Sequence, residues 1–140
     1  MAELDFKAAY LAHAEQDLHA ARVLMDAGIY GLVLYHCQQA AEKAAKAYLA
    51  DMGIITGKTH IVSPIMRSRL LRHDASPEIQ QLVRYVDELE EYVSDVRYPF
   101  EIRRGQYEDP AHVYTKTMAD EALHMAEAVV ETARSALADG

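Results

Sequence analysis

The sequence predicts an all-α protein: an antiparallel up-and-down bundle of four long helices plus one short helix, forming a single domain over residues 1–140. Three observations lead there. Apolar residues recur at steps of three and four along four long segments. Glycine and proline, with capping residues, separate those segments. No stretch alternates apolar and polar residues far enough to form a substantial strand.

Five helices are expected, over about 5–27, 31–52, 64–72, 77–97 and 110–138. In the first, Phe6, Tyr10, Ala14, Ala21, Leu24 and Met25 make an inward stripe. Gly28 sits where a helix C-terminus needs a left-handed residue, and Gly53 does the same for the second helix. The second stripe is Val33, Cys37, Ala41, Ala44 and Tyr48, in an alanine-rich helix that permits close backbone approach. Ser63-Pro64, Ser76-Pro77 and Asp109-Pro110 each read as an N-cap followed by proline at the first helical position. The fourth stripe is Ile79, Leu82, Val83, Val86, Leu89 and Val93. The last is Met118, Ala122, Met125, Ala126, Val129, Ala133 and Leu137. Tyr98 to Asp109 is the longest expected loop.

Composition narrows the function classes. The formal charge of −8 argues against a general coat for DNA or membranes, since both need surplus cations. No apolar run is long enough for a membrane span, and the acidic start lacks a secretory leader. With Cys37 alone, no internal disulfide can form, which points to the cytoplasm. Charge is unevenly spread. Met52 to His73 contains no acid but holds Lys58, Arg67, Arg69 and Arg72, while Asp87 to Asp95 is strongly acidic. These stretches either face each other or solvate their own helices; alternatively the basic one rims a phosphate site.

No complete catalytic or metal-binding motif is present. Gly53 to Thr59 imitates a phosphate-binding loop but is one residue short and follows a helix. The seven histidines show no zinc-ligand spacing, so neither metal nor cofactor is expected. Cys37 lies on an apolar stripe and reads as core rather than nucleophile.

Some polar residues break the pattern. Asp17 and Arg97 fall on inward stripes, where an unpaired charge is costly. They form a structural ion pair or help to build a polar pocket between helices. At about 100° per residue, Leu32, His36, Gln39, Lys43 and Lys46 share one side of the second helix. That row is a solvated face, a dimer surface, or a cradle for phosphate or a base edge.

Three stretches together resemble a known family: Ala14-Glu15-Gln16-Asp17-Leu18 through Gly28-Ile29-Tyr30; His36-Cys37-Gln38-Gln39-Ala40-Ala41-Glu42-Lys43 through Leu49, with Gly53 and His60; and Val96-Arg97-Tyr98-Pro99 before the long last helix. The chain resembles HEPN-domain proteins of the short stand-alone prokaryotic type. The resemblance covers nearly its whole length. It implies a helical bundle that forms a homodimer, associates with nucleotides or RNA, and pairs with a minimal nucleotidyltransferase as a toxin–antitoxin system.

Some HEPN proteins are metal-independent ribonucleases, using an arginine and a histidine with four to six residues between them. Arg97 matches that arginine, but Ile102, Arg103 and Arg104 stand where the histidine belongs. His112-Val113-Tyr114 resembles the end of the toxin motif, although Arg104 lies too far upstream to complete it. The leading reading is therefore a binding module, with Asp17, His36, Gln39, Lys43, Arg97 and Tyr98 around one cleft. In it Arg97 meets phosphate, Tyr98 stacks on a base, and Asp17 orients Arg97. The alternatives are a metal-independent ribonuclease using Arg97 and His112, and a non-catalytic protein that binds a nucleotidyltransferase and presents Tyr98, Tyr107 or Tyr114 for modification.

Overall fold

A computed structural model describes residues 4–92, 96, 98–99 and 101–139. It contains α1 (Phe6–Asp26), α2 (Tyr30–Asp51), α3 (Ser63–Met66), continued by a π-helical turn (Arg67–Leu71), and α4 (Pro77–Glu90). The hairpin strands β1 (Glu101–Arg103) and β2 (Gln106–Tyr107) follow, then α5 (Pro110–Val113) and α6 (Lys116–Asp139). The architecture is the expected helical bundle.

The helix ends follow local chemistry. Asp5 accepts the Ala8 N–H at 2.8 Å and starts α1. α1 ends where Gly28, at φ +75°, lets its own N–H and that of Ile29 reach the Met25 and Leu24 carbonyls. Gly53, at φ +82°, closes α2 the same way on Ala50 and Leu49. A left-handed residue at this position satisfies carbonyls that the helix leaves open. Ser76 and Asp109 cap α4 and α5 as expected.

α2 is the axis of the fold. It packs against α1, α4, α5 and α6. Its alanines at 40, 41, 44, 45 and 47 are all buried and bring the neighbouring backbones close. Leu34, Leu49, Met66, Leu89, Val129 and Val130 fill the layers around it. Each such side chain contributes roughly 1.5–3 kcal/mol through burial. At the α2 N-terminus the chain needs glycine: a Cβ on Gly31 would lie 2.8 Å from the Tyr114 ring.

Several expectations are corrected. α4 ends at Glu90, with Glu91 as its C-cap, and residues 93–95 and 97 of the expected helix lie outside the described residues. The last helical segment is broken at Tyr114 and Thr115, because Tyr114 turns extended to pack on Gly31. The expected loop contains a short hairpin. Phe6 is exposed, and Leu18 takes the buried place on α1. Val93 lies outside the described residues. Ser63 is not the N-cap of α3. Val62 is, and the cap is supplied from α4: Glu90 Oε1 accepts the Val62 and Ser63 N–H groups at 2.6 and 2.8 Å, while Glu90 Oε2 accepts the Ser63 hydroxyl at 2.7 Å. The basic and acidic stretches do meet, since Arg67 pairs with Asp87 at 3.4 Å.

Candidate functional site

The seam between α1 and α2 holds a three-residue polar cluster. Seven residues separate His36 from Lys43, two helical turns, so both reach one partner on the facing helix. That partner is Asp17. Its Oδ1 lies 2.9 Å from His36 Nδ1, and its Oδ2 accepts from Lys43 Nζ at 2.6 Å. An ionised carboxylate only accepts, so Nδ1 is the nitrogen that donates to Asp17. The side chains are 14% (Asp17), 26% (His36) and 25% (Lys43) exposed. The cluster is therefore sheltered yet still partly reached by solvent. Asp17 is not an isolated inward charge; two charge-assisted bonds tie it across the seam.

Cavities flank the cluster. Leu32, Tyr35, Val96 and Tyr98 line a depression of about 340 Å³. It shares Leu32 and Val96 with an apolar pocket of about 500 Å³ between the α1–α2 turn and α5, where Tyr30, Pro110 and Tyr114 contribute walls. Toward the other end of the seam, Ala9, Tyr10, His13 and Lys43 line a cavity of about 290 Å³.

The expected row on α2 divides. His36 and Lys43 face Asp17, but Gln39 and Lys46 are buried. Gln39 Nε2 donates to Gln38 Oε1 at 2.7 Å, and Gln38 Nε2 donates to Glu42 Oε1 at 3.0 Å. Lys46 Nζ reaches Glu42 Oε2 at 3.4 Å, and His60 Nδ1 approaches Glu42 Oε1 at 3.1 Å. This buried chain fastens the 52–62 connection to α2. The apolar stripe Val33, Cys37, Ala41, Ala44 and Tyr48 marks only one inward side of α2, and this network lies off that stripe. Polar residues at 38, 42 and 46, four apart on an alanine-rich helix, were the available signal.

Comparison with known proteins places the chain. The model of the HEPN domain matches residues 8–136. The chain belongs to the HEPN family. A relative from Methanocaldococcus jannaschii, named "Putative toxin MJ1304", is 35% identical over 132 residues, covering 91% of this chain and 86% of that protein. Among solved structures, ST0689, titled an archaeal HEPN homologue, superposes with TM-score 0.69 at 26% identity, covering 92% of this chain and 95% of that one. TT1696 from Thermus thermophilus shares the fold at TM-score 0.75 and 24% identity, covering 95% and 99% of the two chains.

The remaining candidates are distributed as follows in this HEPN chain. Arg97 lies outside the described residues, although its neighbours Val96 and Tyr98 line the depression beside α2. Asp17 is bonded to His36 and Lys43, and its expected partner Arg97 lies outside the described residues. Tyr98 is 74% exposed. The His112 side chain is 85% exposed and lies 3.8 Å from Asp109, one turn away on α5.

Cys37 is fully buried, as its stripe implied, and burial with the nearby Glu127 carboxylate pushes its thiol from 9.0 up to about 12. Raised in the folded state, it contributes stability that is complete below pH 9 and lost as pH climbs toward 12. At pH 9, native Cys37 should react with iodoacetamide about several hundredfold more slowly than the urea-unfolded chain, because only the thiolate attacks. Timed alkylation followed by mass spectrometry reads this directly. Equal rates would contradict it.

Proposed function

We propose that this HEPN protein binds nucleotides or RNA in the groove that Val96 and Tyr98 line beside α2, along the α1–α2 seam. We propose further that it works as a homodimer, as one half of a toxin–antitoxin-like pair with a nucleotidyltransferase. The observation that carries the binding reading is the partly exposed Asp17–His36–Lys43 cluster, with Lys43 lining one cavity and Tyr98 lining another beside Tyr35, the neighbour of His36. A bundle places ligand sites between its helices in this manner. Tyr98, largely exposed, offers a face on which a base can stack. Lys43 and Arg97 supply the cations that phosphate requires. The toxin name of the archaeal relative supports the paired role.

Calorimetric titration with ATP and with a short single-stranded RNA at low salt tests the binding. Saturable heat is expected, weakening as salt rises. Lys43→Ala and Arg97→Ala should each weaken it by about tenfold, the equivalent of roughly 1.4 kcal/mol. No saturable heat with either ligand would end this reading.

A further inference from the structure

We propose that the end of the bundle where the turn after α2 meets the π-helical turn is a docking site for an acidic segment of a partner protein. The segment inserts one aliphatic side chain and pairs its flanking carboxylates with Arg69 and Arg72. This face is separate from the α1–α2 seam, since its cavity shares no lining residue with those along the seam.

The face consists of a hollow and a rim. Gly53, at φ +82°, turns the chain sharply after α2. Met52 and Ile54, on either side of it, line a cavity of about 300 Å³ together with Leu70 and Ile79. Leu70 and Ile79 are buried and form its floor, whereas Met52 is 53% exposed at its mouth. Ile55, next along the chain, is 68% exposed. Arg69, His73 and Asp74 complete the lining and are exposed, so the apolar hollow has a polar rim. A pocket for one apolar anchor inside a polar rim is how protein interfaces concentrate their binding energy. Arg69 belongs to the π-helical turn Arg67–Leu71, a departure from α-helical geometry of the kind that recurs at functional sites.

Charge decides the partner. The chain has 22 Asp and Glu against 14 Lys and Arg. More than half of its described lysines and arginines are accordingly ion-paired. Arg69 and Arg72 have no side-chain hydrogen bond or ion pair among the described residues. They stand three positions apart, so both project from one side of their turn. Asp74, the acid on the rim, is turned to its own backbone, where its Oδ1 accepts the Ser76 N–H at 3.0 Å. The face thus presents uncompensated positive charge beside aliphatic surface, which matches carboxylates flanking an aliphatic side chain. The net charge of −8 does not prevent this, because salt screens exposed charges more than about 8 Å from the contact. Nucleic acid fits the face less well. From Met52 to His73 there is no Phe, Tyr or Trp, hence no ring of that kind on which a base can stack. A flat anionic lipid surface would leave the hollow unfilled.

The test uses the full chain and a fluorescent peptide with one leucine between pairs of glutamates. Anisotropy at low salt is expected to show saturable binding that weakens as salt rises. In proton–nitrogen NMR spectra the peptide should shift the amides of Met52 to Ile54 and of Arg69 to Asp74, and leave those of His36 and Lys43 in place. The double variant Arg69→Glu/Arg72→Glu should weaken binding by at least about tenfold. Both side chains are exposed and unpaired, so its melting temperature should match that of wild type. Alanine in place of the peptide's leucine should cost about tenfold as well. A peptide with lysines in place of glutamates should not bind. ATP affinity should be the same in the double variant and in wild type, which keeps this face distinguishable from the seam. Absence of saturable peptide binding, amide shifts confined to other faces, or unchanged affinity in the double variant would overturn the proposal. So would tighter binding of a single-stranded RNA or of phosphatidylglycerol vesicles at these same amides, which would assign the face to another class of partner.

Discussion

Glu42→Ala is expected to lower the unfolding free energy by about 3–5 kcal/mol. The side chains of Glu42 and Lys46 are only 6% and 4% exposed. Glu42 accepts from Gln38 and Lys46 and is approached by His60. Removing the carboxylate strands the Lys46 ammonium in the interior with no counter-charge and leaves an amide without its acceptor. Breaking one side of a buried pair costs far more than the pair itself contributes, since the remaining charge has lost its water and gained nothing. The double variant Glu42→Leu/Lys46→Leu should therefore recover much of the loss, because no charge is left inside. Urea unfolding followed by circular dichroism measures both. A Glu42→Ala loss under 1 kcal/mol, or a double variant no better than the single, would show that water reaches this network.

Glu90→Ala should cost about 3 kcal/mol and act mainly on α3. Glu90 is buried and takes three hydrogen bonds, from the N–H groups of Val62 and Ser63 and from the Ser63 hydroxyl. Proline at position 64 cannot donate, so these two N–H groups form the open end of the helix. Hydrogen bonds to a charged acceptor are worth about 1.5–3 kcal/mol each, and the unmet donors stay buried. Amide exchange at Val62 and Ser63 should accelerate by at least about a hundredfold, while α6 keeps its protection unless global unfolding is reached. Glu90→Gln retains one acceptor oxygen and should fall between the two. Unchanged exchange at both positions would contradict the capping role.

The elements were legible because their signals are local. Gly28 and Gly53 end helices by a backbone requirement that depends on a few neighbouring residues. Ser76 and Asp109 cap the helices that begin directly after them. The stripe Ile79, Leu82, Val83, Val86 and Leu89 has one buried face because α4 lies at the margin of the bundle. Where a residue's partner is distant in sequence, local signals failed. Ser63 looked like a cap, but the carboxylate that caps α3 comes from position 90. Tyr114 looked helical, but the close approach of Gly31 decided its conformation. In the candidate site, Asp17 reads as a charge on an apolar stripe, and His36 and Lys43 read as members of a polar row on another helix. Their joining through two hydrogen bonds could not be read from spacing on either helix.

What the sequence determined by itself was the kind of elements, most of their ends, and the family, because capping, periodicity and motif are properties of short stretches. Only the tertiary structure decided that α2 is surrounded. That one fact moved Gln39 and Lys46 from a presumed surface into the interior while leaving His36 and Lys43 at an open seam. A helix has a solvated face only where no neighbour covers it, and the number of neighbours is set by the packing of the whole chain.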